Sequence, residues 1–277
     1  DWVFILYAIY IPLAILTYLL EVFAILQYRR DHFKSSFFTM FCVLAVVNIC
    51  ACFTGSFVFR LNLYPIINQF YDDLRTNSVW LTAAYSSAYY LNVLSEFLGM
   101  LLALNRFSAL YFPVLHDRVW SKACFVGISA CAIIAVAPVW FLFDDPARFI
   151  LMRDRSVTYK QNSIWYNMVI VTFICNGLSS LLYGACIVRL CRITGARHAT
   201  AERNLLLVGF CSMICSIPYM AGMLFFYLNL SIEGVRPNVE IMKFNTYQLP
   251  WLTDLKYLPP APLLLITTKS IRQMIRR

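Results

Sequence analysis

A chain of 277 residues that is 61% apolar and 13% charged has far less charge than a soluble domain, where roughly one residue in four is charged. That excludes a soluble enzyme or binding module, whose core has no use for so much apolar surface, and asks for a helical bundle solvated by lipid. The net charge of +9 gathers at alternate ends of the apolar runs, so it reports membrane topology; no nucleic-acid partner is expected.

Seven segments predict helices, at 2–28, 36–60, 76–112, 122–143, 162–191, 203–231 and 245–268. Most hold an uncharged run of roughly 18–20 residues or more, the length that crosses the hydrocarbon core. The predicted fold class is an all-α membrane protein, a single seven-transmembrane-helix domain over residues 1–277. The first run reads as a span and not a signal peptide, because no small-residue cleavage site follows it. The chain opens on Asp1 and not on methionine, so trimmed ends are expected. Segments 29–36, 113–122, 189–203 and 269–277 hold thirteen bases and three acids, whereas the opposite set of ends holds eight of each. Positive charge collects on the cytoplasmic side, which predicts the N-terminus outside and the C-terminus inside.

Helix one carries Glu21 near its inner end, placed to snorkel or to pair with Arg29 or Arg30. Helix two carries Asn48 near mid-span. Helix three is the richest. Thr82, Tyr85, Tyr89, Asn92, Glu96, Gly99, Ala103 and Arg106 recur at steps of three and four, which puts them on one stripe. Lipid-facing positions are not polar at this rate, so the stripe is expected to face the bundle interior. Glu96 stands about 15 Å along the axis from Arg106 at helical rise, near mid-membrane, where an ionisable group is a functional candidate by default. For any one of these residues, a hydrogen bond made for packing explains it equally well. The helix closes on Leu104-Asn105-Arg106-Phe107, then Tyr111-Phe112-Pro113, where the proline is expected to stop it and open a short basic loop, Pro113–Lys122.

Helix six contains Ser216-Ile217-Pro218-Tyr219, and a mid-helix proline removes a backbone hydrogen bond and bends the helix. Glu202 and Arg203 at its base are placed near Arg106. In helix seven, Tyr247, Trp251 and Asp254 share a face, while Asp254 and Lys256 lie about 200° apart on a regular helix and should not pair with each other. Pro259, Pro260 and Pro262 make regular geometry doubtful there and leave carbonyls open to side chains or water. The tail 269–277 sets Ile271, Met274 and Ile275 against bases, the pattern of a short amphipathic helix on the inner leaflet. Asn229-Leu230-Ser231 is a glycosylation sequon at the predicted outer end of helix six. All ten cysteines lie in or beside apolar runs and read as small hydrophobes; no metal site and no cofactor is expected.

The aromatic-flanked Arg106 followed by Pro113 is similar to the G-protein-facing end of helix three in rhodopsin-like receptors, with Asn105 where those have an acid. That Asn-Arg-Phe variant, running on through Tyr111-Phe112-Pro113 to His116 and Trp120, resembles the nematode serpentine chemoreceptors of class gamma or class V. So does the ending Trp251-Leu252-Thr253-Asp254-Leu255, the prolines, and Lys269-Ser270-Ile271-Arg272. The Asn-Pro-x-x-Tyr of rhodopsin-like receptors is absent, and uncharged Asn48 replaces the aspartate with which they bind sodium.

The resemblance implies a receptor that binds an external small molecule within the bundle and activates a heterotrimeric G protein. Its expected setting is the plasma membrane, in the sensory cilium of chemosensory neurons. The candidate ligand lining is Tyr85, Tyr89, Asn92, Glu96, Tyr219, Trp251 and Asp254. The candidate coupling and switch residues are Asn105, Arg106, Phe107, Pro113 and Pro218. The alternative is a transporter or channel with Glu96, Asp254 and Lys256 as a midplane ion or proton relay, although neither an inverted repeat nor paired broken helices support it. A photoreceptor with Lys256 as Schiff base needs a counterion near the top of helix three, and Glu96 looks too deep to serve. An intramembrane enzyme is least favoured, since the chain has no His-Glu-x-x-His motif.

Overall fold

Apolar segments away from water must satisfy every backbone group internally, and this chain does so with helices. The computed structural model describes residues 2–28, 33, 35–61, 79–143, 150–151, 157–158, 163–192, 197–231, 239–268 and 271–273. Helix α1 spans Trp2–Gln27. Helix α2 spans Ser36–Gly55, opened by Ser35, whose hydroxyl accepts the Phe37 amide, and it runs on into a π-helical turn, Ser56–Arg60. Helix α3 is Val79–Tyr111, α4 is Pro113–Ile134, α5 is Ser163–Arg192 and α6 is Arg197–Ser231. The last expected span is two helices, α7 (Val239–Tyr257) and α8 (Pro260–Thr267).

Helix α3 sits at the centre, packed against α2, α4, α5 and α6. Its stripe is interior: Tyr85, Tyr89, Asn92, Glu96, Ala103 and Arg106 are all buried. The outward faces are apolar instead, as at Ile5, Ile9, Leu13 and Phe23 on α1 and Val126 and Ile133 on α4. Apolar belts of that size are covered by something other than water. Five described helical segments are long and apolar enough to cross a membrane, in α1, α2 with its π turn, α3, α5 and α6. Helix α4 opens with His116, Asp117, Arg118 and Lys122, and α7 carries Asp254 and Lys256.

Four expectations need correction. The segment Pro113–Lys122 is helix and not loop: Pro113 occupies the first position of α4, where its missing N–H costs nothing and its fixed φ fits the helix. Phe112 alone makes the turn, at φ −130° and ψ 55°. Consequently the fourth helix ends at Ile134, ahead of Pro138, and a 3-10 turn at Trp140–Phe143 follows. The connection to α5 contains a two-residue antiparallel ladder, Ile150–Leu151 with Val157–Thr158, where only a loop was expected. The span 245–268 is broken at Leu258–Pro259, because Pro259 and Pro260 bring no N–H to the ladder. In the tail, Ile271 is fully buried in the main core and does not face a leaflet. Extended Thr268 turns the chain back, and Arg272 donates to the Leu265 carbonyl at 3.2 Å and to that of Ile266, capping α8. Met274 and Ile275, Arg29 and Arg30, and the side chains of Asn229 and Tyr247 lie outside the described residues.

Candidate functional site

The interior stripe of α3 meets three other helices at a buried ion pair. Lys256 on α7 places Nζ 2.9 Å from Glu96 Oε1 on α3 and donates also to Asn92 Oδ1, one turn along the same stripe. The ammonium lies 4.7 Å from the Tyr219 ring centroid and 5.0 Å from that of Tyr257. Asn92 in turn donates to the Tyr219 hydroxyl on α6. The second Glu96 oxygen accepts from Asn176 Nδ2 on α5 at 3.1 Å. Ser216 on α6 shares its hydroxyl proton between Asn176 Oδ1, at 2.5 Å, and the Met213 carbonyl, at 2.6 Å. The Glu96 carboxylate thus ties α3 to α5 and α7, Asn176 and Asn92 carry the network on to α6, and Pro218 stands between the two α6 residues that take part.

Asp254 belongs to a different cluster. Two positions before Lys256 on α7, it pairs with Arg60 at the end of the α2 π turn and accepts from Tyr10 on α1. Arg60 also donates to Ser56 Oγ at 2.9 Å and to the Pro250 carbonyl at 3.4 Å, and it lies over the Tyr7 ring at 5.1 Å. Trp251 packs here, 4.7 Å from Tyr7 and 5.9 Å from Tyr10. Helix α7 is therefore clamped from two sides by ion pairs of opposite sense. The relay trio Glu96, Asp254 and Lys256 does not form one cluster. Nor is Glu96 too deep for Lys256, since the two are in contact.

The break between α7 and α8 has a use. The carbonyl of Tyr257 accepts Tyr18 Oη at 2.5 Å and Asn48 Nδ2 at 3.4 Å. Asn48 Oδ1 takes Ser95 Oγ at 2.8 Å. Asn48 is thus committed to knitting α1, α2, α3 and α7 together. Glu21 is fully buried on α1, against the backbone of Leu265.

At the far end of α3, Asn105 and Arg106 are both buried. Asn105 Oδ1 accepts Arg106 Nη2 at 2.9 Å, and Asn105 Nδ2 donates to Ser36 Oγ on α2 at 2.8 Å. An ionised aspartate has no proton to give and could only accept from the Ser36 hydroxyl, reversing that bond. The guanidinium is 4.4 Å from the Phe37 ring centroid. Phe107 stacks on Tyr111 at 4.5 Å, and Tyr111 donates to the Ala185 carbonyl of α5 at 3.1 Å. Ser108 accepts from Trp120 Nε1 at 2.6 Å and lies 3.0 Å from His116 Nδ1, which fastens the first turns of α4 to α3. Arg203 is exposed, and the Glu202 side chain lies outside the described residues.

Near this end α5 and α6 approach closely. A Cβ added at Gly209 would sit 2.2 Å from the Tyr183 hydroxyl and 2.5 Å from the ring carbon that bears it, so Tyr183 lies directly against the glycine. Gly209→Ala is expected to lower stability by about 1–3 kcal/mol through overpacking, measured by thermal unfolding in detergent. Tyr183→Leu in the same chain should recover it. An unchanged midpoint for the single variant would show that the two helices slide apart freely.

Two cavities flank the ion pair. The larger, of about 100 Å³, lies on the side toward Phe37 and Arg106 and is lined by Glu96, Lys256, Asn176 and Ser216 at one end. The smaller, of about 20 Å³, is lined by Tyr89, Asn92, Trp165 and Tyr219. Of the expected ligand residues, Glu96 lines the first and Tyr89, Asn92 and Tyr219 the second. Tyr85 is 3.2 Å from Tyr89, hydroxyl to hydroxyl. Trp251 and Asp254 are held by α1 and α2. The sequence reading missed Asn176 and Ser216, whose signal was a polar residue within a long apolar run. It also missed Arg60, the last residue of the predicted helix 36–60, which was singled out for no role.

The family model described as Srg family chemoreceptor matches residues 4–275. Similar proteins of Caenorhabditis elegans include serpentine receptor class gamma-14, 25% identical over 55% of this chain and 51% of its own length. Class gamma-15 is 27% identical over 56% of this chain and 53% of its own length. Class gamma-20 is 22% identical over 89% and 72%. The chain spans about half the length of the first two.

Proposed function

The chain belongs to the Srg chemoreceptor family, and from that premise we propose that it is a G-protein-coupled chemosensory receptor. Its apolar helices and its family make it a multi-pass membrane protein. In the proposed arrangement it crosses seven times, with the N-terminus outside and the C-terminus inside, in the plasma membrane of a sensory cilium. An external small molecule enters among α3, α5, α6 and α7, where Tyr85, Tyr89, Asn92, Glu96 and Tyr219 meet it, with Trp251 and Asp254 supporting α7 from behind. The partner at the other end is a heterotrimeric G protein, reached through Asn105, Arg106, Phe107 and the α4 segment that starts at Pro113.

One observation carries this reading. A single buried stripe of α3 bears both the Glu96–Lys256 pair and, about 15 Å along the axis, Arg106. A ligand that perturbs the pair loosens α7 from α3 and disturbs Ser216 and Tyr219 on α6. Pro218 stands between those two residues, where the helix lacks a backbone hydrogen bond to resist bending. Movement of α6 and α2 at the far end then uncovers Arg106 from Phe37.

The test is G-protein activation in expressing cells. Arg106→Ala is expected to lower ligand-driven activation at least tenfold at normal surface expression. A full response from the mutant would remove the coupling role of α3. Ion currents that depend on Glu96, with no G-protein response, would replace the receptor reading with a transport one.

A further inference from the structure

The larger cavity narrows the kind of molecule this receptor takes, and four features of it bear on the choice. Its polar groups converge at one end, where Glu96, Lys256, Asn176 and Ser216 meet, while Phe41, Leu44, Met100 and Val208 form apolar walls. Ligand sites of small molecules have that composition, mostly apolar with a few convergent polar groups. Its charges cancel: Glu96 and Lys256 are 2.9 Å apart, and among the described residues no other carboxylate, ammonium or guanidinium lines the space. An ionic ligand would bring a second, uncompensated charge into a low-dielectric interior, which is strongly unfavourable. Its volume of about 100 Å³ is less than the ~150 Å³ cavity that accepts benzene, so no extended polyene on Lys256 fits. Its wall is opened by a glycine, since a Cβ added at Gly99 would meet nothing within 4 Å.

We propose that this cavity seats the ligand, a neutral amphipathic molecule of about four to five non-hydrogen atoms, scaled from the benzene case, with one oxygen function directed at the Glu96–Lys256 pair. The carboxylate has lone pairs beyond those used by Lys256 and Asn176 and accepts a hydroxyl. The short apolar tail lies toward Met100 and Val208. The smaller cavity across the pair has room for about one water, so of the residues proposed above Glu96 contacts the seated ligand, and Asn92 and Tyr219 act on it through Lys256. The signalling meaning of the site rests on the receptor reading above; its binding does not.

The experiment uses the full chain in lipid nanodiscs, with saturation-transfer NMR and 1-butanol as the probe. Butylammonium and butyrate are the charged counterparts. Expected is saturation transfer to 1-butanol, with binding at least tenfold weaker for both ions. Gly99→Leu should abolish the transfer by filling the space. Should that variant fail to fold, Gly99→Ala, whose methyl meets nothing, is expected to fold normally and bind several-fold more weakly. Equal binding of the ions overturns the proposal, as does 1-butanol binding that Gly99→Ala leaves unchanged. Absence of any binding, the result for a cavity that holds water only, overturns it too. Binding that follows the expected pattern without G-protein activation leaves the site standing and removes the receptor reading. Activation that no Gly99 variant alters does the reverse.

Discussion

Lys256→Met is expected to lower stability by about 3–5 kcal/mol, because it leaves Glu96 buried beside Asn176 with no cation to balance it. The side chain nearly keeps its volume, so lost packing contributes little. Little receptor should reach the cell surface, and what does should unfold early in an SDS titration. Adding Glu96→Gln removes the orphaned charge, and the double variant is expected to recover most of the loss. That recovery separates electrostatics from packing: a Lys256→Met defect that Glu96→Gln fails to repair would mean the lysine stem, and not its charge, holds α7 in place. The double variant should nevertheless respond poorly to ligand, since a neutral pair gives a bound molecule no ionic contact to disturb.

Arg60→Leu is expected to cost a similar amount, about 3–5 kcal/mol, by stranding Asp254. Tyr10 remains as a hydrogen-bond donor to Asp254, but one neutral donor does not balance a buried carboxylate. Asp254→Leu in the same background should restore stability, because replacing both members of a buried pair by apolar groups is often neutral or better. The signalling outcome separates the two clamps. The Arg60–Asp254 pair faces α1 and α2 and lines neither of the two cavities, so the Arg60→Leu/Asp254→Leu protein is expected to keep its ligand response within a few-fold. Abolished signalling at normal surface expression would show that this clamp, too, belongs to the switch.

The α3 stripe was legible because a helix imposes a fixed period. Tyr85, Tyr89, Asn92, Glu96 and Arg106 recur at that period, and all are buried. The orientation of helix seven was legible for the same reason: about 200° between Asp254 and Lys256 on a regular helix meant that they should not pair with each other, and each pairs elsewhere. The partners themselves were not legible. Arg60 is 194 positions from Asp254, and Asn176 is 80 from Glu96; nothing local in either segment records the other. Pro113 misled because one proline can end a helix or begin one, and only the geometry at Phe112 settled that it begins α4. Ile271 misled because an amphipathic tail can lay its apolar side on lipid or on protein.

By itself, the sequence determined that the chain is apolar helical segments, which face of α3 turns inward, and that Glu96 stands on it near mid-membrane. Those follow from backbone hydrogen bonding and burial, which act within a segment. Only the tertiary structure decided which helix answers each buried charge, that α7 is held from two sides, and that a cavity lies beside one of the two pairs. Pairing and cavities depend on how whole helices approach one another, and that relation is written in no single stretch of the chain.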